Sequence, residues 1–510
     1  MNRTSVRVRF LATAVTNVLR AGISFCAGLL IAQALGPAEY GNFSFLLGSF
    51  MSLATLADMA SSLAFYTFIS QRQRGAKFFI YYSAWLLIQF TTLLLLVLFL
   101  PASLRGKIWL GHPKDIVLIA LFASFTMNQI WRYAGQIGES IRDTVGVQIR
   151  NIVLALAYLS CVLLILKFNL TSIKTLFILN TILYLVFACL YGLRLYKAGV
   201  FSQNESENLK DILGDFKNYC SPLATYAVAG FFYYFADYWL LQKFGGPVQQ
   251  GYYAIGAKFA TLSLIATTSI LQVFWKEIAE AHSLGNTERV RQLYEKVSRG
   301  LYFFGAVLSC FLVPFSRQIL GLLLGPAYRQ AWIPLSLMFL YPVHQSIGQI
   351  TGTMLYSTGQ TRTKSYIGLF FMAISIPTTY FMLAPKNFII PGLGMGALGL
   401  SLKMVLCQLV DVNLMAFFVA KYLKMPFKWS YQAAVLLLLV PAGFISKFLA
   451  GVICSLSFGM RGPLIVMTTA ALLYGLFAAL LVFRVPSLAG STRQQINLGL
   501  VWVRERLSFA

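Results

Sequence analysis

Apolar residues along this 510-residue chain fall in blocks separated by short polar segments. A helix needs about 20 predominantly apolar residues to cross the hydrocarbon core of a bilayer, and the blocks reach that length. The pattern therefore predicts an all-α polytopic membrane protein with about fourteen transmembrane helices. The predicted spans cover residues 10–35, 42–68, 79–101, 115–134, 151–167, 173–195, 219–243, 251–274, 299–316, 331–357, 365–384, 393–420, 431–450 and 463–484.

The composition supports a membrane protein, since 58% of the residues are apolar and only 11% are charged. A soluble protein of this length needs more charged surface. The net charge of +25 would suggest nucleic-acid binding in a soluble protein. Here the cations lie in loops, where membrane orientation and anionic lipid headgroups account for them, so no nucleic-acid partner is expected.

The distribution of basic residues predicts the orientation of the chain. With the N-terminus in the cytoplasm, 27 of the 41 Lys and Arg residues fall in inward segments and 11 in outward loops. Cytoplasmic loops of membrane proteins are enriched in Lys and Arg. We therefore expect a multi-pass protein of the inner (plasma) membrane with both termini in the cytoplasm.

A GPxxxG sequence occurs twice, at residues 36–41 and at residues 246–251, 210 positions apart. Each copy lies in a predicted short outward loop, and six predicted spans separate them. An even number of spans makes two parallel repeats, which place a binding site at their interface. The predicted divisions are an N-terminal six-helix lobe at 1–210, a C-terminal six-helix lobe at 211–425, and helices 13–14 with an interfacial tail at 426–510.

Several segments resemble the polysaccharide-exporter flippases, which translocate O-antigen and exopolysaccharide repeat units. The matching segments are LGPAEYGNF at 35–43, LADMASS at 56–62, DYWLL at 237–241, GYYA at 251–254 followed by Lys258, the stretch 275–299, and LGPAY at 324–328. Their order and spacing cover most of residues 10–360. The resemblance implies the multidrug/oligosaccharidyl-lipid/polysaccharide exporter fold, with two six-helix lobes forming a V and alternating access. The first helix lacks the proline of that family, so a kink there would use Gly22 or Gly28.

Charged residues inside predicted spans are candidates for function, because each costs roughly 2.5–3.5 kcal/mol on membrane-insertion scales and usually faces a cavity or a partner. Arg20 shares one helix face with Asn17, and its planar guanidinium suits a diphosphate. A structural ion pair with Asp58 is the alternative. Tyr233 lies on the equivalent face of the second repeat. The predicted substrate-binding residues are Arg20, Asn17, Lys403 and Tyr233.

Three further residues are ion-coupling candidates: Asp58, His344 and Asp411. His344 changes charge near neutral pH, although a lone His in a helix is more often a packing residue. Asp237 and Lys258 lie at matching depth on adjacent predicted helices. We expect them to form a structural ion pair, with a ligand role as the alternative.

These features favour a flippase that moves undecaprenyl-diphosphate-linked oligosaccharide repeat units from the cytoplasmic to the periplasmic leaflet, for surface-polysaccharide biosynthesis. A cation-coupled multidrug exporter of the same fold and a non-transporting scaffold of a polysaccharide synthesis complex are the alternatives. We expect no enzyme activity, catalytic residues, metal site or cofactor, since the chain has no Walker A motif and no CxxC pair. The expected partners are the lipid-linked substrate and membrane lipids, with a polysaccharide polymerase and a chain-length regulator as further candidates.

Overall fold

The computed structural model describes residues 6–201, 208–457 and 462–494, and all regular elements of these residues are helices. The interfacial tail predicted beyond residue 494 lies outside the described residues. The helices are α1 Val6–Asp58, α2 Ser61–Gln71, α3 Ala76–Phe99, α4 Ala102–Ile108, α5 Lys114–Phe125, α6 Trp131–Ser140, α7 Thr144–Lys167, α8 Ile173–Lys197, α9 Leu209–Ser283, α10 Thr287–Leu312, α11 Ser316–Leu323, α12 Trp332–Ser357, α13 Thr361–Leu383, α14 Gly396–Tyr422, α15 Trp429–Ser457 and α16 Pro463–Arg484.

Each of the fourteen predicted spans lies largely on these helices. Within the described ranges, nine helical segments are long and apolar enough to cross a membrane. The first of them, Val15–Asp58, is 44 residues long and contains two of the predicted spans. The expectation of an all-α polytopic membrane protein is confirmed.

Contacts divide the chain into two compact units. The first comprises Met1–Ala254 and Met372–Ala397, and the second comprises Ile255–Phe371 and Leu398–Ala510. These units are defined by contacts rather than by the sequence repeat, so the predicted boundaries at residues 210 and 425 stay predictions. The V-shaped arrangement of two lobes also stays a prediction.

The repeated GPxxxG segment has the same backbone conformation in both copies. Gly36 interrupts α1 with φ 70° and ψ 171°, and Gly246 interrupts α9 with φ 76° and ψ 177°. Only glycine adopts this region readily, because a Cβ would clash with the backbone. Each long helix is therefore two helices joined at a glycine, as the sequence repeat predicts.

Within the first unit the two copies contact each other reciprocally. A Cβ on Gly41 would lie 1.8 Å from the carbonyl oxygen of Pro247, and a Cβ on Gly251 would lie 2.1 Å from that of Pro37. Close backbone approach of this kind requires glycine at both positions. The last glycine of each motif, Gly41 or Gly251, is thus required by close packing. The first, Gly36 or Gly246, is required by its backbone angles.

Two irregular segments of the first unit lie where the candidate site is built. Met59 and Ala60 separate α1 from α2 and have left-handed φ values of 41° and 65°. A π-helical turn, Thr126–Ile130, joins α5 to α6. Such turns and strained non-glycine residues are frequent at functional sites.

In the second unit, α10, α12, α14, α15 and α16 surround an apolar core. The Tyr302 hydroxyl donates to the carbonyl of Gln432 at 3.2 Å, and the Asn413 and Gln432 amides bond each other. These hydrogen bonds pair polar groups of three different helices inside the apolar core.

Candidate functional site

A polar cavity of about 410 Å³ lies within the first unit. Its walls come from the second half of α1, from the π turn and the start of α6, and from α9. The lining residues are Gly48, Met51, Ser52, Ala54, Thr55, Asp58, Asn128, Gln129, Arg132, Tyr234 and Tyr238. The lining positions on α1 lie on one broad side of that helix, and the two on α9 are four residues apart on one face.

The wall of α9 fits closely against α1 at a glycine. A Cβ on Gly48 would lie 2.6 Å from the Tyr238 ring. The absence of a side chain at position 48 lets this ring lie directly on the backbone of α1. Tyr234, one helical turn away, is half exposed. The two phenol groups therefore present hydroxyl and aromatic surface to the cavity.

Asp58 ends α1 and is buried, with 7% of its surface exposed. Its carboxylate accepts the Ser61 hydroxyl at 2.9 Å, and the Ser62 hydroxyl and backbone N–H at 2.8 and 3.0 Å. The first N–H groups of a helix have no partner within the helix, and the helix dipole favours a negative charge there. The break at Met59 and Ala60 thus lets the Asp58 carboxylate bond to the first turn of α2.

Further donors support this carboxylate through the two serines. Trp85 Nε1 donates to Ser61 Oγ at 2.9 Å, and Gln89 Nε2 donates to the same oxygen at 3.3 Å. Arg132 donates to Ser62 Oγ at 3.3 Å. Each serine accepts from a helix outside α1 and α2 while donating to Asp58. The result is a buried network that ties α3 and α6 to the break.

Arg132 is the cationic group of the cavity. Its guanidinium has five N–H donors, of which one bonds to Ser62 within the described part of the chain. It takes part in none of the ion pairs seen among residues 6–201, 208–457 and 462–494. Arg132 is exposed to the cavity rather than buried by protein. Its charge is therefore available to an anionic ligand.

The lining chemistry suits an anion with hydroxyl groups. Arginine binds phosphate oxygens through paired N–H donors. Asn128, Gln129 and the two tyrosines supply amide and phenol groups that can bond sugar hydroxyls. No cluster of His, Cys, Asp and Glu that could hold a metal ion occurs in the part of the chain that the structure describes.

The predicted substrate residues of the first unit lie outside this cavity lining. Arg20 is exposed on α1, with its charge acting on Tyr184 of α8, and Asn17 is half-buried. Tyr233 makes an edge contact with Tyr234 at 4.9 Å between ring centroids. The substrate roles of Arg20, Asn17 and Tyr233 stay predictions.

Asp237 is buried in the first unit, where it accepts the Thr379 hydroxyl at 2.7 Å. This bond connects α9 to α13. Its predicted partner, Lys258, is half-buried and belongs to the second unit. The ion pair of Asp237 with Lys258 stays a prediction.

The remaining predicted residues belong to the second unit. Lys403 is fully buried on α14. His344 packs on the Tyr302 ring, with 6.0 Å between centroids. Among the described residues, His344 Nδ1 and Asp411 Oδ1 are buried without a hydrogen bond, and Lys364 is a charged neighbour of Asp411. Roles for Lys403 in substrate binding, and for His344 and Asp411 in ion coupling, stay predictions.

The sequence analysis did not select Arg132, because it counted this residue among the basic residues that set orientation. A signal for it exists in the sequence. Asn128, Arg132 and Gln136 recur every four residues, which is the spacing of a polar stripe along one helix face. The Gln136 amide donates to the Ser62 carbonyl at 3.1 Å, so the stripe faces the α1–α2 break.

Known proteins match this chain in structure but not in sequence. No family model matches the sequence, and no curated protein matches it. Among solved structures, the lipid II flippase MurJ in an inward closed conformation matches with a TM-score of 0.67 over 94% of this chain and 99% of that chain, at 15% identity. A multidrug resistance MATE family transporter of the MOP superfamily, inward-facing, matches with a TM-score of 0.61 over 81% and 98%, at 13% identity.

The chain has the MOP-superfamily fold. A third match is a MOP superfamily transporter from Pyrococcus furiosus, with a TM-score of 0.54, 11% identity, and coverage of 83% of this chain and 97% of that chain. At these sequence identities the likeness establishes the fold alone. The activity of the protein has to be inferred from its own residues. The superfamily fold implied by the sequence resemblance is confirmed, and the polysaccharide-exporter branch of it stays a prediction.

Proposed function

We propose that this protein is a flippase that moves an undecaprenyl-diphosphate-linked oligosaccharide repeat unit from the cytoplasmic to the periplasmic leaflet by alternating access. The observation that carries the proposal is Arg132 in a polar cavity within a helical membrane unit. A lipid diphosphate carries several negative charges, so its passage through hydrocarbon requires a protein cation. The similarity to a structure named as a lipid II flippase supports a lipid-linked substrate.

Each part of the proposed substrate has a group to bind it. Arg132 binds the diphosphate, and the Asn128 and Gln129 amides bond sugar hydroxyls. Arg20 and Asn17 on α1, and Tyr233 on α9, provide further contacts in other conformations of the transport cycle. Lys403 provides a second cation. Asp58, His344 and Asp411 are the proposed positions for a coupling ion.

A multidrug exporter of the same fold is the competing function. Its cationic substrates would need an acidic group with a free charge, and Asp58 is the carboxylate that lines this cavity. Three hydrogen bonds from Ser61 and Ser62 already occupy that carboxylate. Arg132 makes one hydrogen bond within the described part of the chain, whereas Asp58 accepts three. This difference favours an anionic substrate over a cationic drug.

The test is complementation of a strain that lacks the gene, with surface polysaccharide and membrane abundance measured together. Arg132→Ala removes charge-assisted hydrogen bonds worth about 1.5–3 kcal/mol, so export should fall by about tenfold or more at normal abundance. Arg132→Lys should retain part of the export, since the charge survives while the paired donors are lost. Arg20→Ala should abolish export as well.

Arg289→Ala is the matched control, because it removes an exposed arginine at the start of α10, whose guanidinium lies 3.9 Å from Glu277. Export should stay normal in this variant. Normal export by both Arg132→Ala and Arg20→Ala at normal abundance would contradict the proposed anion site and favour the non-transporting scaffold. Resistance to cationic drugs that depends on Asp58, without any effect on polysaccharide, would favour the multidrug exporter.

A further inference from the structure

A second cavity, of about 580 Å³, lies in the first unit beside the polar one. Its walls come from the residues around the α1–α2 break, from α3 and from the first turns of α9. Most of the lining is apolar or aromatic, and Trp85, Ile88, Leu213 and Phe216 are typical members. The groups assigned above to the diphosphate and the sugars, Arg132, Asn128 and Gln129, do not line this apolar cavity.

The two cavities meet at one residue. Asp58 lines both of them, and Ser61, which donates to Asp58, lines the apolar cavity. The break at Met59 and Ala60 is therefore the boundary between a polar and an apolar space. A molecule that occupies both spaces must itself have a polar part joined to an apolar part.

The charges around the two cavities favour a negative polar part. Lys217 lines the apolar cavity, and Arg132 lines the polar one. The Asp58 carboxylate between them is occupied by the Ser61 and Ser62 donors. An anionic head group can thus contact Arg132 without displacing Asp58 from its own hydrogen bonds.

A hydrocarbon chain gains little by moving from lipid into an apolar protein surface, because the two environments are equally apolar. Exposure of the chain to water when the head group enters a polar cavity has a large unfavourable free energy. An apolar cavity that adjoins the polar one removes that penalty, since the chain stays in an apolar environment while the head group enters. The aromatic and aliphatic lining around Trp85 provides this environment.

We propose that the apolar cavity binds the hydrocarbon chain of an anionic lipid whose head group occupies the polar cavity. The proposal rests on the flippase function and identifies where that substrate's lipid chain lies. It assigns a ligand contact to α3 and to the start of α9, where the sequence analysis placed no site.

The experiment uses the full chain in nanodiscs of phosphatidylcholine and a farnesyl phosphate that carries a diazirine at the far end of its chain. After irradiation, mass spectrometry of peptides locates the adducts. We expect adducts within residues 81–88 and 209–220. Unlabelled farnesyl phosphate should remove them, and farnesol, which lacks the anion, should not.

Ala84→Phe places a ring in the apolar cavity and should abolish these adducts. Leu87→Phe is the matched control, because Leu87 is exposed on the same helix and does not line the cavity, so labelling should be unchanged. If Ala84→Phe does not elute as a folded protein, Cys220→Phe on the opposite wall serves the same purpose.

Equal labelling of wild type and Ala84→Phe, or equal competition by farnesol, would show annular lipid contact only and overturn the chain site. That result would leave the flippase proposal to stand on export by the Arg132 variants. Specific labelling together with normal export by Arg132→Ala and Arg20→Ala would support the chain site and contradict the proposed transport function.

Discussion

At the scale of single residues, Asp58 is the most densely connected charge of the candidate site. The sequence marked it as a carboxylate inside an apolar span. The structure gives it the Ser62 backbone N–H, in the first turn of α2, and two hydroxyl donors. A buried carboxylate is tolerated when such donors replace its hydration. Asp58 therefore stabilises the break between α1 and α2.

We expect Asp58→Ala to lower the free energy of unfolding by about 1–3 kcal/mol, because buried donors of Ser61 and Ser62 lose their acceptor. Asp58→Asn should have a smaller effect, since its carbonyl oxygen still accepts. Thermal unfolding of the purified protein in detergent measures both as shifts of the melting temperature. Thr55→Ala is the control in the same cavity, since the Thr55 hydroxyl bonds only to Met51 of its own helix in the described structure. Equal melting temperatures for Asp58→Ala and Thr55→Ala would refute the stabilising role.

At the scale of elements, the two GPxxxG segments form a reciprocal contact within the first unit. Gly41 lies on the Pro247 carbonyl and Gly251 lies on the Pro37 carbonyl. Gln242 also donates to the Asn42 side chain at 2.8 Å. One sequence motif thus packs against its own repeat, which explains why both copies keep the same final glycine.

Gly41→Ala and Gly251→Ala should each destabilise the protein by about 1–3 kcal/mol, the usual cost of inserting a methyl group into a closed contact. Gly22→Ala is the control, because its Cβ meets nothing within 4 Å. Within a helix that change should be neutral or stabilising, by up to about 1 kcal/mol. Membrane abundance and melting temperature report both effects. Normal stability of Gly41→Ala would mean that the two motifs are not in contact in the membrane.

At the scale of the whole molecule, the fold matches one solved flippase and two solved transporters over most of its length, although the sequence identity is at most 15% among these three matches. A pattern of apolar spans and turn glycines can persist while most side chains change. The likeness therefore establishes the fold alone, and the residues of the cavities must decide the activity and the substrate.

The orientation in the membrane is a property of the whole chain that sequence charge predicts. Reporter insertions after Asn169 and after Gly199 should give opposite readings, outside for the first and cytoplasmic for the second. The reason is that 27 of the 41 basic residues lie in the segments assigned to the cytoplasm. Alkaline phosphatase and green fluorescent protein fusions at both positions measure this. Like readings from the two positions would disprove the topology.

The sequence by itself determined the positions of the helical spans and the glycine breaks at residues 36 and 246, while the number of fourteen spans stays a prediction. These are local properties, because a bilayer selects length and apolarity, and only glycine tolerates that backbone conformation. It also selected Asp58 as an ion-coupling candidate, and that role stays a prediction. It missed Arg132, since an arginine near a span end has the same sequence signal whether it sets orientation or lines a cavity.

Only the tertiary structure decided which polar faces meet. The sequence placed Tyr233 on the polar face of its span, whereas the cavity is lined by Tyr234 and Tyr238 of the same helix. One position changes the direction of a helical side chain by about 100°, and the rotation of a helix against its neighbours is set by packing. Close contacts such as Gly48 on Tyr238 fix that rotation. The placement of a polar and an apolar cavity on either side of Asp58 likewise depends on contacts between segments 70 or more residues apart, which no local pattern encodes.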